Sequence, residues 1–204
     1  MSDALPVTVA MTGASGAQYG LRLIQCLVGA GRDVYLMLSK PAQIVIGLET
    51  ELSLPGRDRD IERYLTDLYD ARPGQIRMFG REEWTAPVAS GSARSSGMVI
   101  CPCTTGTLGS VAAGTSRNLI ERAADVTLKE GRKLVLVVRE TPFSPLHLEN
   151  MLRLARAGVC VLPANPGFYN RPETVLDLVD FVVARILDQL RIEQQLAPRW
   201  GQDG

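Results

Sequence analysis

A hydroxyl beside a cation, Ser39-Lys40, stands where an apolar strand ends. Such a pair suits a phosphate, and it cannot accept from a ribose diol as a carboxylate does. Two further strand ends lead into turns of small or hydroxylated residues: Thr12-Gly13-Ala14-Ser15-Gly16 and Thr104-Thr105-Gly106-Thr107. Each opens a helix, whose first N–H groups carry roughly half a positive charge and favour an anion or a polarised carbonyl. Ordinary threonine caps would explain one or two of these hydroxyls, but not their convergence on one edge of a sheet. The spacing Gly13-x-x-Gly16-x-x-x-Gly20 departs from the G-x-G-x-x-G dinucleotide fingerprint. With Ser39 in place of an acidic residue, it argues against a nicotinamide dehydrogenase. One phosphate-bearing ligand lying across the edge is the expectation.

Other side chains are candidates for acid, base or cation. Arg139-Glu140 ends a buried strand, where it serves either a site or a surface ion pair. Arg122 and Lys129 are two helical turns apart and share one face. Glu49 lies inside a helix, either solvated or turned into a cleft as an acid/base. Trp84 precedes the small polar loop SGSARSSG, and it either covers a ring or packs against a neighbouring subunit. Trp200, in the tail, is placed to dock on a partner or a site.

These residues must be positioned by alternating strands and helices. Short apolar runs predict strands over 7–11, 33–38, 98–101, 133–138 and 159–162. Helical periodicity predicts helices over 18–28, 43–52, 61–68, 108–113, 119–130, 147–157 and 174–190, with 54–97 the least regular region. Pro163 to Tyr169 reads as a rigid turn on the same edge as the other turns. The alternation predicts a single α/β domain over 1–204, a three-layer doubly wound parallel sheet, with a polar tail from about 191.

Composition narrows the partners. Lys+Arg and Asp+Glu balance at 22 each, so no nucleic-acid surface or polybasic membrane patch is expected. No apolar run has the length of a membrane span, and MSDALPV lacks the features of a signal peptide. The four cysteines read as reduced, mostly buried thiols of a cytoplasmic protein. Cys101-Pro102-Cys103 is not a zinc spacing and His147 is the sole histidine, so no metal site is expected.

Five stretches carry a resemblance in their order and spacing: TGASGAQYG, ICPCTTGTLGSVAAG, SRNLIERAADVTLKE, LVVRETPFSPLHLENM and PANPGFYNRP. Together they resemble the flavin prenyltransferase family, the bacterial partner of a UbiD-type decarboxylase in ubiquinone synthesis. The resemblance covers nearly the whole chain and implies a Rossmann-like flavoprotein fold. It implies metal-independent transfer of a dimethylallyl group from dimethylallyl monophosphate to N5 and C6 of reduced FMN. It implies FMN held by Gly13, Ala14, Ser15, Ser39, Thr104, Thr105, Gly106, Thr107 and Arg139. It implies the prenyl phosphate held by Arg122, Lys129, Glu140, Tyr169 and Arg185. Ser15, Glu49, Lys129 and Glu140 are the expected catalytic groups, with Trp84 and Trp200 as pocket wall or lid. It also implies a homo-oligomer, a dodecamer, whose neighbouring subunits complete the site. An FMN-dependent cysteine decarboxylase of the same fold and a non-catalytic flavin carrier are the alternatives.

Overall fold

In the computed structural model, which describes residues 5–197, strand polarity and side-chain alternation together set the architecture. Six parallel strands run in the order β3-β2-β1-β4-β5-β6: β1 (Val7–Met11), β2 (Val34–Leu38), β3 (Ile76–Met78), β4 (Gly97–Cys103), β5 (Leu134–Val138) and β6 (Cys160–Pro163). Successive side chains on a strand point to opposite faces. Val7, Val9 and Met11 therefore enter one core with Val99, Cys101, Val135 and Val137. Ala10 enters the other core with Met98, Ile100, Leu134 and Leu136. A sheet covered on both faces needs apolar residues at every position, and β1, β4 and β5 are buried throughout.

The first core is closed by helices α1 (Ala17–Gly29), α2 (Lys40–Glu49), α3 (Asp58–Leu68) and α7 (Val175–Gln189). The second is closed by α4 (Thr105–Ala112), α5 (Leu119–Lys129) and α6 (Pro145–Arg156). This is the expected three-layer doubly wound arrangement. The order reverses direction between β1 and β4, and ligands of such sheets bind outside the carboxyl ends at that point.

Several expected boundaries move, each for a local reason. Strand β4 continues through Pro102 to Cys103, so Cys101-Pro102-Cys103 lies in the buried sheet and not in the turn. A register irregularity between Ile100 and Cys103 against β5 accommodates the proline. Helix α4 starts at Thr105 because Thr104 already caps it, accepting from the Thr107 N–H at 3.1 Å. Helix α2 starts at Lys40, capped by Ser39 at 3.1 Å to the Ala42 N–H, with Pro41 in its second position. The irregular region holds a strand, β3, too short to show periodicity, with Arg77 exposed between two buried residues. His147 completes a capping box at the start of α6, its Nδ1 accepting from the Ser144 N–H at 3.2 Å. Among the described residues no helix is long and apolar enough to cross a membrane.

Candidate functional site

Thr12 ties the first and third turns together. Its hydroxyl donates to the Pro102 carbonyl at 2.8 Å and accepts from the Thr104 N–H at 2.9 Å. The second turn is joined to the first by the Ser39 N–H, which donates to the Met11 carbonyl at 3.0 Å. A cleft of about 270 Å³ opens where the three meet. Its polar wall is Thr12, Gly13, Ser39, Thr104 and Thr107, and its apolar wall includes Met37, Phe79 and Ile120. Lys40 and Arg81 line it as cations. Glycine is required at position 13, since a Cβ there would stand 2.3 Å from that of Pro41.

The hydroxyl bridge at Thr12 is 4 % exposed, so its loss strands the Thr104 N–H in a dry environment. Thr12→Val should cost about 1–3 kcal/mol, and the melting temperature should fall by roughly 2–4 °C per kcal/mol. Ligand affinity of the cleft should weaken with it, and Thr12→Ser should restore most of both. An unchanged melting temperature in Thr12→Val would show that the bridge contributes nothing.

Beside the cleft, Glu49 is turned inward from the last residue of α2. Its Oε2 accepts from the Gly16 and Ala17 N–H groups at 2.8 and 2.9 Å. Gly16 takes φ 101°, the left-handed conformation that aims its N–H there. The N-terminus of α1, expected to take a ligand anion, is thus occupied by the protein's own carboxylate. Burial by itself would raise the Glu49 carboxyl. The Ser15 hydroxyl, the Ala17 and Gly16 N–H groups and the Arg139 charge outweigh it and hold the group below its ordinary value. Arg139 Nε in turn donates to the Ser15 carbonyl at 3.3 Å. Ser15, Glu49 and Arg139 therefore form one cluster. Ala14 is buried in the same turn, its N–H donating to the Thr12 carbonyl at 2.9 Å, while half-buried Thr105 and exposed Gly106 form the start of α4.

The residues expected around the prenyl phosphate are not gathered in one copy. Arg122 donates to the Ala89 carbonyl at 3.1 Å and pairs with Asp125 at 3.0 Å. Lys129 ends α5, at the opposite edge of the sheet from the cleft, and pairs with Glu130. Glu140 follows β5 at the carboxyl edge and accepts from the Thr141 N–H at 3.0 Å. Tyr169 and Arg185 share a separate open groove of about 750 Å³. There the Tyr169 ring meets Phe181 edge-on at 5.7 Å, and Arg185 pairs with Asp188 at 2.7 Å. This groove is the larger hollow, but the smaller cleft is the one at the switch point of the sheet. Trp84 is 48 % exposed and does not line the cleft. Trp200 lies outside the described residues.

Three residues escape the sequence reading. Thr12 reads only as part of the first turn, without its bridging role, and Arg81 has no motif that marks it. Glu121 is 7 % exposed, and its carboxylate accepts from Thr115 Oγ1, the Arg117 N–H and Asn118 Nδ2 at 2.9–3.0 Å. It thereby folds the 115–118 segment onto the start of α5, where Asn118 and Glu121 line the cleft. The Asn-x-x-Glu capping spacing was the available signal. Among the described residues, no group of three His, Cys, Asp or Glu side chains is placed to hold a metal ion.

Comparison with known proteins gives consistent matches over the chain. The Flavoprotein family model matches residues 1–187. The flavin prenyltransferase UbiX of Pseudomonas aeruginosa is 58% identical over 202 residues, covering 99% of this chain and 97% of that protein. The crystal structure of AnUbiX (PadA1) in complex with FMN and dimethylallyl pyrophosphate superposes with a TM-score of 0.86 at 37% identity, covering 97% and 98% of the two chains. A dodecameric FMN-dependent UbiX-like decarboxylase from Escherichia coli O157:H7 superposes with a TM-score of 0.84 at 45% identity, covering 96% and 99%.

Proposed function

Because this chain belongs to the flavin prenyltransferase family, within the wider Flavoprotein family, we propose that it transfers a dimethylallyl group from dimethylallyl monophosphate to N5 and C6 of reduced FMN. The observation that carries this reading is the switch-point cleft, with its hydroxyl wall and two cations, set beside the Ser15–Glu49–Arg139 cluster. A cleft of this kind fits a phosphorylated polar chain. Ser39, Thr104 and Thr107 hold the FMN phosphate end, with Gly13 and Ala14 along the first turn. Thr105 and Gly106 contribute the start of α4, and Ser15 and Arg139 face the ring system.

Reduced FMN supplies the electron-rich atoms to which the prenyl unit bonds. The residues supply charge and proton control. Breaking the allylic C–O bond sends its electron pair to the departing phosphate, whose growing charge needs pre-positioned donors. Arg122, Lys129 and Arg185 supply cations and Tyr169 a hydroxyl. Ser15 relays the N5 proton toward the ionised Glu49. The proton taken from N5 returns to the alkene of the attached prenyl unit, so that its other end bonds C6, and Glu140 assists the departing phosphate in accepting the proton that C6 releases. Trp84, exposed and away from the cleft in one copy, walls the site of a neighbouring copy against water, which would quench an allylic cation.

One copy does not assemble this set, and the protein is proposed to work as a homo-oligomer, a dodecamer like the Escherichia coli protein. Exposed apolar side chains at Ile44 and Leu48 on α2, and at Leu146, Leu148 and Leu152 on α6, support such association. The four free thiols suit the cytoplasm. The product is the cofactor of a UbiD-type decarboxylase, with ubiquinone synthesis the expected setting. A cysteine decarboxylase or a passive flavin carrier would leave Lys129, Glu140, Tyr169 and Arg185 without a role. Release of inorganic phosphate from dimethylallyl monophosphate, dependent on reduced FMN, tests the reading. Carbon dioxide release from a cysteine-terminated substrate, without phosphate release, would replace it.

A further inference from the structure

We propose that Arg81 and Lys40 are the counter-charges of the FMN phosphate and give this cleft its preference for FMN over riboflavin. The inference rests on the reading that the cleft holds FMN, and it concerns which residues balance the charge. A phosphate monoester carries close to two negative charges at neutral pH, and burying it requires opposite charge as well as hydrogen bonds. Ser39, Thr104 and Thr107 are neutral donors. The start of α1 is already neutralised by Glu49, and the starts of α2 and α4 at the cleft carry only about half a charge each. Arg139 is braced on the Ser15 carbonyl and is not part of the cleft wall.

Lys40 and Arg81 are the cations that line the cleft, and among the described residues neither makes an ion pair. Both have fixed backbones. Lys40 is the first residue of α2, directly after the Ser39 cap. The Arg81 carbonyl accepts from the Leu119 N–H at 2.8 Å, which pins its loop to the start of α5. Two acids near Arg81, Glu83 and Glu121, are engaged elsewhere. Glu83 accepts from the Gly80 N–H at 3.0 Å. Glu121 is held by three donors and lies 3.6 Å from Arg117 Nε. The cleft is left with surplus positive charge facing its hydroxyls. A planar guanidinium matches a phosphate with two parallel hydrogen bonds, so Arg81 is the stronger contributor.

The test is a titration of the full-length protein, freed of flavin, with FMN and with riboflavin, read by flavin fluorescence. Wild type should bind FMN more tightly than riboflavin. Arg81→Ala should weaken FMN roughly 10- to 100-fold and leave riboflavin affinity essentially unchanged. Arg81→Lys, which keeps the charge but not the paired hydrogen bonds, should recover only part of the FMN affinity, and Lys40→Ala should show a smaller loss of the same selective kind. Both side chains are exposed, so a melting curve confirms folding of each variant. Unchanged FMN affinity in Arg81→Ala and Lys40→Ala, or equal losses for FMN and riboflavin, would overturn the assignment. A wild type that binds no flavin would overturn the flavin reading as well, so the two failures are distinguishable.

Discussion

Glu49→Gln should still bind FMN yet lose prenyl transfer by about 10²–10⁴ in rate, the range for removing a positioned acid/base. Binding survives because the cleft walls of Thr12, Ser39, Thr104 and Thr107 do not include Glu49. A glutamine can still accept from the Gly16 and Ala17 N–H groups through its amide oxygen, so the turn keeps its shape. It loses the negative charge that the Ser15 hydroxyl and Arg139 oppose. Flavin titration and single-turnover product formation separate the two effects. Normal product formation by this variant would remove Glu49 from the proton pathway. The same contacts set a pH dependence. The folded-state carboxyl lies below its ordinary value, so its contribution to stability is fully present above the unfolded value of about 4.3 and is lost as pH falls through the folded one. The gap in melting temperature between wild type and Glu49→Gln should therefore be constant near neutrality and shrink in acid.

Lys129→Ala and Glu140→Gln should each lose about 10²–10³ in rate, and the two co-expressed should recover activity. Lys129 closes α5 at the amino edge of the sheet, whereas Glu140 follows β5 at the carboxyl edge. A site that needs both must take them from different copies. In random hybrids about a quarter of the sites then combine an intact Lys129 with an intact Glu140, and activity should rise toward that fraction of wild type. A mixture as inactive as its components would mean that both residues serve from one copy. Unfolding is not the expected cause of loss, since Lys129 pairs with Glu130 at the surface, where such a pair contributes little.

The chain's alternation of apolar runs and helical periods was enough to place the sheet, its two cores and the edge that carries the turns. Ser39, Thr104 and Thr107 were legible because helix caps and strand ends have local signatures. The cleft wall opposite them was not, because Phe79, Arg81 and Ile120 reach it only through tertiary packing. Glu49 shows the same limit. Helical periodicity located it, but only the packing of α2 beside α1 aims it at the Gly16 and Ala17 N–H groups, in the place first expected for a ligand. The strand expected over 98–101 stops short of Pro102, and the irregular register against β5 carries it on to Cys103. The chemistry itself, a prenyl group passing to a flavin, came from the resemblance of five stretches and not from any spacing of charged residues.

The most direct measurement is anaerobic: purified protein with reduced FMN and dimethylallyl monophosphate, the flavin product analysed by mass. The account predicts a flavin heavier by one dimethylallyl unit, formed only when the monophosphate is present. Unchanged FMN recovered from protein that binds it tightly would contradict the transferase reading.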